Sequence, residues 1–167
     1  MSKDHIAFRE LYERYANDVF RFACSLCGDT DNAKDITAET FARCWTSSTE
    51  TRMETVKAYL FAIARNVYLQ QARHRRRVST MENEPVDTSA KTDRSLEGRS
   101  ELEHTLSVLR RLPELERSIL LMRAYDGLSY ADIARATGLS VAAVKVKAFR
   151  ARAKLAEMIS TQENNRR

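Results

Sequence analysis

The chain has 167 residues, a length that suits one ordinary domain or two small ones. Its four Gly and two Pro favour helices over a turn-rich β-sandwich. The 28 Lys and Arg against 23 Asp and Glu give a formal charge of +5, which suits a polyanionic partner. The sequence lacks both an apolar run of the roughly 18 to 20 residues that span a bilayer and a signal peptide. An odd number of Cys argues against a disulfide framework, so we expect a cytoplasmic protein. Together with the low Gly and Pro content, this gives an expected all-α protein of the cytoplasm.

The first half of the chain predicts three amphipathic helices. Apolar side chains step by three and four over residues 8–26, and Gly28 then offers a C-cap before the turn sequence GDTDN. A second apolar stripe covers residues 33–45 and is followed by a polar break. A third covers residues 56–69 and ends in the basic sequence RHRRR, residues 73–77.

The composition changes over residues 78–100, which are rich in Ser, Thr, Asp and Glu and show no periodicity. Such a segment cannot bury enough apolar surface to fold, so we predict a flexible linker. Leucines at helical spacing follow, and Pro113 suits the first position of a further helix that Gly127 closes. The predicted organisation is a helical domain over residues 1–77, the linker, a second helical domain over residues 101–160, and a disordered tail over residues 161–167.

One stretch, GLSYADIARATGLSVAAVKVKAFRARAKL, begins at Gly127. Ser129 and Ser140 can each cap a helix, and Gly138 can take a left-handed turn between the two helices. Ala134 is small enough for the helices to cross steeply. This spacing is typical of a helix-turn-helix, and an ordinary αα-corner is the alternative.

The second helix of this pair has two contrasting faces when residues 141–155 are wound at about 100° each. One stripe is apolar and must be buried: Val144, Ala148, Ala151 and Leu155. The opposite face combines small apolar groups with cations: Ala142, Lys145, Val146, Phe149 and Arg150. Lys147, Arg152 and Lys154 lie at the sides, where phosphates would be. Such a helix suits a DNA major groove, with Lys145 and Arg150 as donors to base edges, and a merely solvated face is the alternative.

Aromatic residues alternate with Arg in KAYLFAIARNVYLQQARHRRR, which begins at Lys57. Aromatic faces beside cations hold unstacked bases of single-stranded DNA. The alternative is that the aromatic side chains belong to a helical core.

The chain resembles the extracytoplasmic-function (ECF) sigma factors, bacterial initiation subunits that have only two helical domains, regions 2 and 4. FRELYERYANDVFRFACSLCGD resembles the opening of region 2, AKDITAETFARCW the polymerase-clamp segment, and AYLFAIARN the promoter-melting segment. LRRLPELERSILLMRAYDG and the helix-turn-helix that follows resemble region 4. The resemblance implies a protein that binds RNA polymerase core and directs it to promoters.

The resemblance also implies roles for individual residues. The clamp of the polymerase β′ subunit would contact Asp35, Glu39 and Phe41. The melted −10 strand would contact Tyr59, Phe61, Arg65, Asn66, Gln70 and Arg73. The duplex −35 element would contact Ala142, Lys145, Val146, Lys147, Phe149 and Arg150. Region 4 would also lie on the flap of the β subunit.

Members of the family usually carry an acidic run of the DAED type in the clamp segment, and this chain has Asn32-Ala33-Lys34-Asp35. The missing carboxylates imply core binding weaker by about 1 kcal/mol. One hypothesis is that a Ser/Thr kinase restores negative charge at Thr30, Thr37 or Thr40. Control by an anti-sigma factor, common in the family, is the other open possibility.

Cys24 and Cys27 form a C-x-x-C without a second pair, so packed thiols are favoured over a zinc or redox site. We predict no metal, no cofactor and no enzymatic activity, because the sequence lacks nucleophile and phosphate-binding motifs.

Two other functions stay open: a free-standing helix-turn-helix repressor with an N-terminal dimerisation or sensor module, and a helical adaptor without DNA binding.

Overall fold

The computed structural model describes residues 3–47, 56–82 and 101–165. The chain divides into two compact units, Met1–Thr92 and Asp93–Arg167. The first unit contains α1 (Lys3–Cys27), α2 (Thr30–Thr46) and α3 (Val56–Glu82). The second contains α4 (Glu101–Leu109), α5 (Glu114–Leu120), α6 (Tyr130–Thr137) and α7 (Val141–Asn164), with a π-helical turn at Leu121–Tyr125 directly after α5. The predicted all-α class is confirmed.

The first unit is a bundle in which α1, α2 and α3 all pack against one another. Its centre is a stacked pair of rings, Phe22 and Phe61, whose centroids lie 4.5 Å apart with planes 5° from parallel. Gly28 ends α1 with a left-handed φ of 71°, and its N–H donates to the Cys24 carbonyl at 2.8 Å. Asp29 then caps α2 by accepting from the backbone N–H of Asp31 at 2.9 Å.

The second unit is built around the C-terminal helix α7, against which α4, α5 and α6 pack. Its largest fully buried side chains come from every part of the unit: Val108, Ile119, Met122, Ile133 and Val144. Ser129 caps α6 by accepting from the Asp132 N–H at 3.1 Å. Gly138 ends α6 with a φ of 72°. This close sequence of cap, short helix, left-handed residue and cap confirms the predicted helix-turn-helix.

The ends of two helices differ from the sequence-based expectation. Helix α3 continues to Glu82, so residues 78–82 are helical and do not belong to a flexible linker. Helix α7 continues to Asn164, so residues 161–164 are not disordered. Both extensions lack an apolar stripe, but each continues a long helix that has already formed, and adding a turn to such a helix costs much less than starting a new one. Residues 83–100, the rest of the predicted linker, lie outside the described residues.

Pro113 occupies the N-cap of α5, with ψ of 145°, and is not its first helical residue. Its carbonyl accepts from the Arg117 N–H at 3.0 Å, which begins the helix. Of the helices in the described ranges, each is too short or too polar to cross a bilayer.

Candidate nucleic-acid and polymerase interfaces

Helix α7 presents one face to the core of its unit and the opposite face to solvent. Ser140 caps it by accepting from the Ala143 N–H at 3.1 Å. Val144, Ala148 and Ala151 are fully buried, as the helical winding predicted. Leu155, which was predicted to be buried with them, is only half-buried. Because this buried stripe is made of small side chains, the helix lies close to its neighbours and most of its circumference stays free.

The solvent face of α7 holds the residues that were expected at the −35 element. Phe149 is 71% exposed and Val146 is 48% exposed, so two apolar side chains are held in water beside cations. Ala142, Lys145 and Arg150 are also exposed, and Lys147 is half-buried. In a major groove, exposed apolar groups can contact thymine methyls, and long donors such as Lys and Arg can hydrogen-bond to purine edges.

Four of the residues expected along the −10 strand share one face of α3. Tyr59, Asn66, Gln70 and Arg73 fall within an arc of about 60° when the helix is wound at 3.6 residues per turn. Asn66, Gln70 and Arg73 are exposed, and Tyr59 is half-buried. Arg65, which is half-buried, lies roughly 80° outside that arc at the same winding.

Two of the expected contact residues are core residues instead. Phe61 is 0% exposed and stacks on Phe22, so the expectation that it contacts the −10 strand is wrong. Phe41 is 3% exposed and packs its ring edge-on against Tyr12, with centroids 4.8 Å apart, so it is not a polymerase contact. In both cases burial in the three-helix bundle removes the side chain from any partner.

Asp35 and Glu39, the two remaining residues expected at the polymerase clamp, are exposed one turn apart on α2. Glu39 accepts from the Arg43 Nε at 2.7 Å. The Nη2 of the same Arg43 donates to the Gln70 Oε1 at 2.8 Å on α3. Arg43 therefore links Glu39 on α2 to Gln70 on α3, and sequence reasoning missed this link because Arg43 and Gln70 lie 27 residues apart along the chain.

The segment that lacks the usual carboxylates begins α2. Lys34 is exposed, so its positive charge lies on the same accessible helix surface as Asp35. Thr37 and Thr40 are buried, and their hydroxyls donate to the carbonyls of Ala33 and Ile36, each at 2.7 Å. A kinase cannot reach either hydroxyl in the folded unit, so both are wrong as modification sites, whereas Thr30 is exposed.

The three cysteines are free thiols, all in the first unit and all half-buried. Burial, with the nearby Cys27 and Asp29, raises the pKa of Cys24 from 9.0 to about 11. Burial also raises the pKa of Cys27 and of Cys44. The thiolate, which is the reactive and metal-binding form, is thus disfavoured near neutral pH. Within the described ranges no group of three or more His, Cys, Asp or Glu is placed to hold a metal ion.

Each of the two units matches one region of the sigma-70 family. Residues 11–78 match the family described as Sigma-70 region 2, and residues 104–155 match Sigma-70, region 4. The boundaries of the two matches fall in the first and second structural units, respectively.

Individual relatives give a narrower assignment. The chain is 35% identical over 143 residues to the ECF RNA polymerase sigma factor EcfG of Rhodopseudomonas palustris, covering 83% of this chain and 77% of the relative. It is 27% identical over 158 residues to the ECF sigma factor SigM of Bacillus subtilis, covering 93% and 97% of the two chains. The sigma factor RpoE from Bartonella quintana, solved with the anti-sigma factor NepR, matches with a TM-score of 0.78 and 25% identity, covering 92% of this chain and 97% of that chain. The chain belongs to the ECF RNA polymerase sigma factors.

It is accordingly an alternative sigma factor, which binds RNA polymerase and directs promoter-specific transcription initiation. The match of residues 11–78 to region 2 disfavours the repressor alternative, in which those residues would form a dimerisation or sensor module.

Proposed function

We propose that the two units make different contacts with polymerase and promoter, and that each contact is made by particular side chains. Asp35 and Glu39 on α2 contact the clamp of the polymerase β′ subunit, and the second unit lies on the flap of the β subunit. The exposed face of α3 holds the melted −10 strand, and the exposed face of α7 reads the −35 duplex. Together they make a promoter-recognition subunit that acts in the cytoplasm and has no catalytic step of its own.

The proposal for the −35 element has its support in the exposed face of α7. Arg150 and Lys145 are long donors that can reach acceptors on base edges, and Phe149 and Val146 can contact thymine methyls. Ala142 lets the start of the helix approach the groove, and Lys147 lies at the side of the helix, toward a phosphate. Phe149 is 71% exposed. Exposing an aromatic ring to water is unfavourable, and a DNA partner that covers the ring would remove this cost.

The proposal for the −10 element has its support in the alignment of side chains on α3. Tyr59 offers an aromatic face for a base, Asn66 offers an amide to the edge of a flipped base, and Gln70 and Arg73 continue the same face toward the basic end of the helix. Arg65 lies outside this face and contributes positive charge that attracts the DNA strand. The observation that carries this proposal is that Tyr59, Asn66, Gln70 and Arg73 share one accessible face while Phe61, outside it, is buried.

Core polymerase is needed for both contacts in this proposal. A single helix in a major groove gives limited and salt-dependent affinity. When both units are bound to one polymerase, the second contact becomes intramolecular and its effective concentration rises. We therefore expect the isolated chain to bind promoter DNA poorly.

An anti-sigma factor is a further proposed partner. RpoE of Bartonella quintana was solved with the anti-sigma factor NepR. CnrH, a chain with the same fold at a TM-score of 0.66, was solved with the cytosolic domain of CnrY. By analogy, a regulator of this kind would hold the present chain inactive by occupying the surfaces that polymerase uses.

Band shifts with and without core polymerase test the proposed function. A promoter fragment with both elements should be shifted by the chain plus core enzyme and not by either alone. Fragments with the −35 or the −10 element scrambled separate the two units. A strong shift by the chain alone, with a preference for a palindrome, would instead assign the repressor function.

A further inference from the structure

Arg43 on α2 is bonded to two side chains to which the proposed function gives different partners. Its Nε donates to the Glu39 Oε1 at 2.7 Å on the same helix, and its Nη2 donates to the Gln70 Oε1 at 2.8 Å on α3. Glu39 is a proposed clamp residue, and Gln70 belongs to the proposed −10 face. The two bonds use different nitrogens of one planar guanidinium, so Glu39 sets the direction from which the guanidinium meets Gln70.

These bonds contribute little to the stability of the bundle. The side chains of Arg43 and Glu39 are 40% and 47% exposed, and Gln70 is also exposed. Ion pairs that water reaches add little to the free energy of folding, because water screens the charges and the side chains lose conformational freedom. The stability of the bundle comes instead from buried apolar side chains such as Ile36 and Leu60. The main effect of Arg43 is therefore on the orientation of Gln70.

The chemistry of the amide fixes the orientation of Gln70. A glutamine amide has one oxygen that accepts hydrogen bonds and one nitrogen that donates them. A guanidinium only donates, so Oε1 has to face Arg43 and the amide nitrogen Nε2 has to point the other way. Without the bond to Arg43, the amide of Gln70 could turn over and present either group to a partner. Arg43 thus makes Gln70 a donor toward any partner on the side away from Arg43.

The direction of this amide decides which purine it can pair with. On the base edge that carries N7, guanine presents two acceptors, O6 and N7, whereas adenine presents the N7 acceptor beside the N6 amino donor. A free glutamine amide matches adenine, because its oxygen accepts from N6 while its nitrogen donates to N7. An amide that presents only its nitrogen cannot make this pair, but it can donate to the acceptors of guanine.

We propose that Arg43 is a positioning residue that sets the base preference of Gln70 on the melted −10 strand. Arg43 holds the Gln70 oxygen away from the strand, so Gln70 acts as a donor and disfavours adenine at the nucleotide that it contacts. Glu39 in turn holds Arg43. This inference rests on the proposed contact between the exposed face of α3 and the −10 strand.

Single-stranded −10 DNA that carries guanine or adenine at each position in turn tests the proposal in holoenzyme binding. The quantity compared is the ratio of the two affinities within each variant, so any change in core binding through Glu39 cancels. At one position wild-type holoenzyme should prefer guanine by about two- to ten-fold, the contribution of one hydrogen bond. Arg43→Ala should remove or reverse this preference, because the amide of Gln70 is then free to turn toward adenine. At the other positions Arg43→Ala should leave the ratio unchanged.

Two further variants separate this role from a structural or a purely electrostatic one. Gln70→Ala should also remove the preference at that position, and adding Arg43→Ala to it should then change the ratio no further. Arg43→Lys keeps the charge, but an ammonium group lacks the planar fork that bonds Glu39 and Gln70 together, so its ratio should resemble that of Arg43→Ala. A wild-type ratio in Arg43→Lys would show that charge alone acts and would overturn the proposal.

Arg9→Ala is the matched control. Arg9 is likewise an exposed Arg paired with a Glu one turn away, its Nε lying 2.9 Å from the Glu13 Oε1, but both residues belong to α1. Arg9→Ala should keep the wild-type ratio at every position. If Gln70→Ala leaves every ratio unchanged, the proposed contact of Gln70 with the −10 strand has failed. If Gln70→Ala alters the ratio at one position and Arg43→Ala does not, only this inference has failed.

Discussion

Helices α3 and α7 carry similar residue types and use them in opposite ways. Both mix aromatic residues with Arg, yet Phe61 of α3 is 0% exposed and Phe149 of α7 is 71% exposed. The difference comes from their neighbours, not from the residues themselves. In the first unit α3 packs against both α1 and α2, so large rings fill the space between three helices. In the second unit α7 buries only a narrow stripe of small side chains, which leaves its aromatic ring outside.

The comparison shows that an aromatic residue between cations indicates a nucleic-acid surface only when it lies on the exposed face of its helix. On α3 the accessible face that remains is mainly polar, with Asn66 and Gln70 at its centre. On α7 the accessible face keeps both its apolar and its basic members. This contrast supports the proposal that the first unit hydrogen-bonds a base drawn out of the stack and that the second contacts an intact duplex.

Exchanging the two phenylalanines for alanine tests this contrast most strongly. Phe61→Ala removes a stacked ring from a closed core and should lower the free energy of unfolding by about 3 to 5 kcal/mol. Phe149→Ala should change it by less than about 0.5 kcal/mol, because the ring is exposed. Urea denaturation of the full chain measures both values. Similar losses for the two variants would show that the contrast in burial is wrong.

Arg150→Ala tests base reading on α7. Removing a donor to a base edge should weaken holoenzyme binding to a promoter with an intact −35 element by about 5- to 150-fold, which corresponds to about 1 to 3 kcal/mol. The control is a fragment with a scrambled −35 element, on which wild type and Arg150→Ala should bind alike. A uniform loss on both fragments would instead assign Arg150 to phosphate contact.

Asn66→Ala tests base capture on α3. The substitution should weaken binding of holoenzyme to single-stranded −10 DNA by about ten-fold, near the lower end of the range for one base contact. An abasic nucleotide at the captured position supplies the control, because the mutant and the wild type should bind that strand equally. If Asn66→Ala loses as much on the abasic strand, it does not act through the base.

Lys34→Glu should give the smallest effect and should strengthen a contact. It restores a negative charge beside Asp35 and should raise affinity for core polymerase about two- to five-fold, since exposed ion pairs contribute up to about 1 kcal/mol. Lys34→Gln, which only removes the positive charge, should fall between wild type and Lys34→Glu. Titration of labelled chain with core enzyme at low salt measures the series. Weaker binding by Lys34→Glu would place the clamp contact elsewhere.

The helix-turn-helix was predictable in detail because its signals are local. Ser129, Gly138 and Ser140 lie within twelve residues, and each acts on its own backbone, so capping rules alone give the geometry. The winding of residues 141–155 then identified the exposed face of α7. The helical extension beyond residue 77 was missed, because it has no apolar periodicity and only continues a helix that begins 22 residues earlier, at Val56.

The contacts that sequence could not supply are those between distant positions. The burial of Phe61 depends on a ring from α1, and Arg43 joins residues on two different helices. Arg152 on α7 likewise donates to the hydroxyl of Tyr130 on α6, which lies 22 residues away along the chain. Periodicity reports which residues share a face of one helix, but it does not report which face meets a neighbour.

Transcription reconstituted with bacterial core polymerase is the most direct measurement of the central claim, that two separate units position one polymerase at a promoter. On linear templates the chain should yield a transcript from a single start site, and scrambling either the −35 or the −10 element should reduce it sharply. Arg150→Ala should reproduce the loss of the first element and Asn66→Ala the loss of the second. The account is contradicted if the purified chain fails to associate with core enzyme, or if initiation with it ignores both elements.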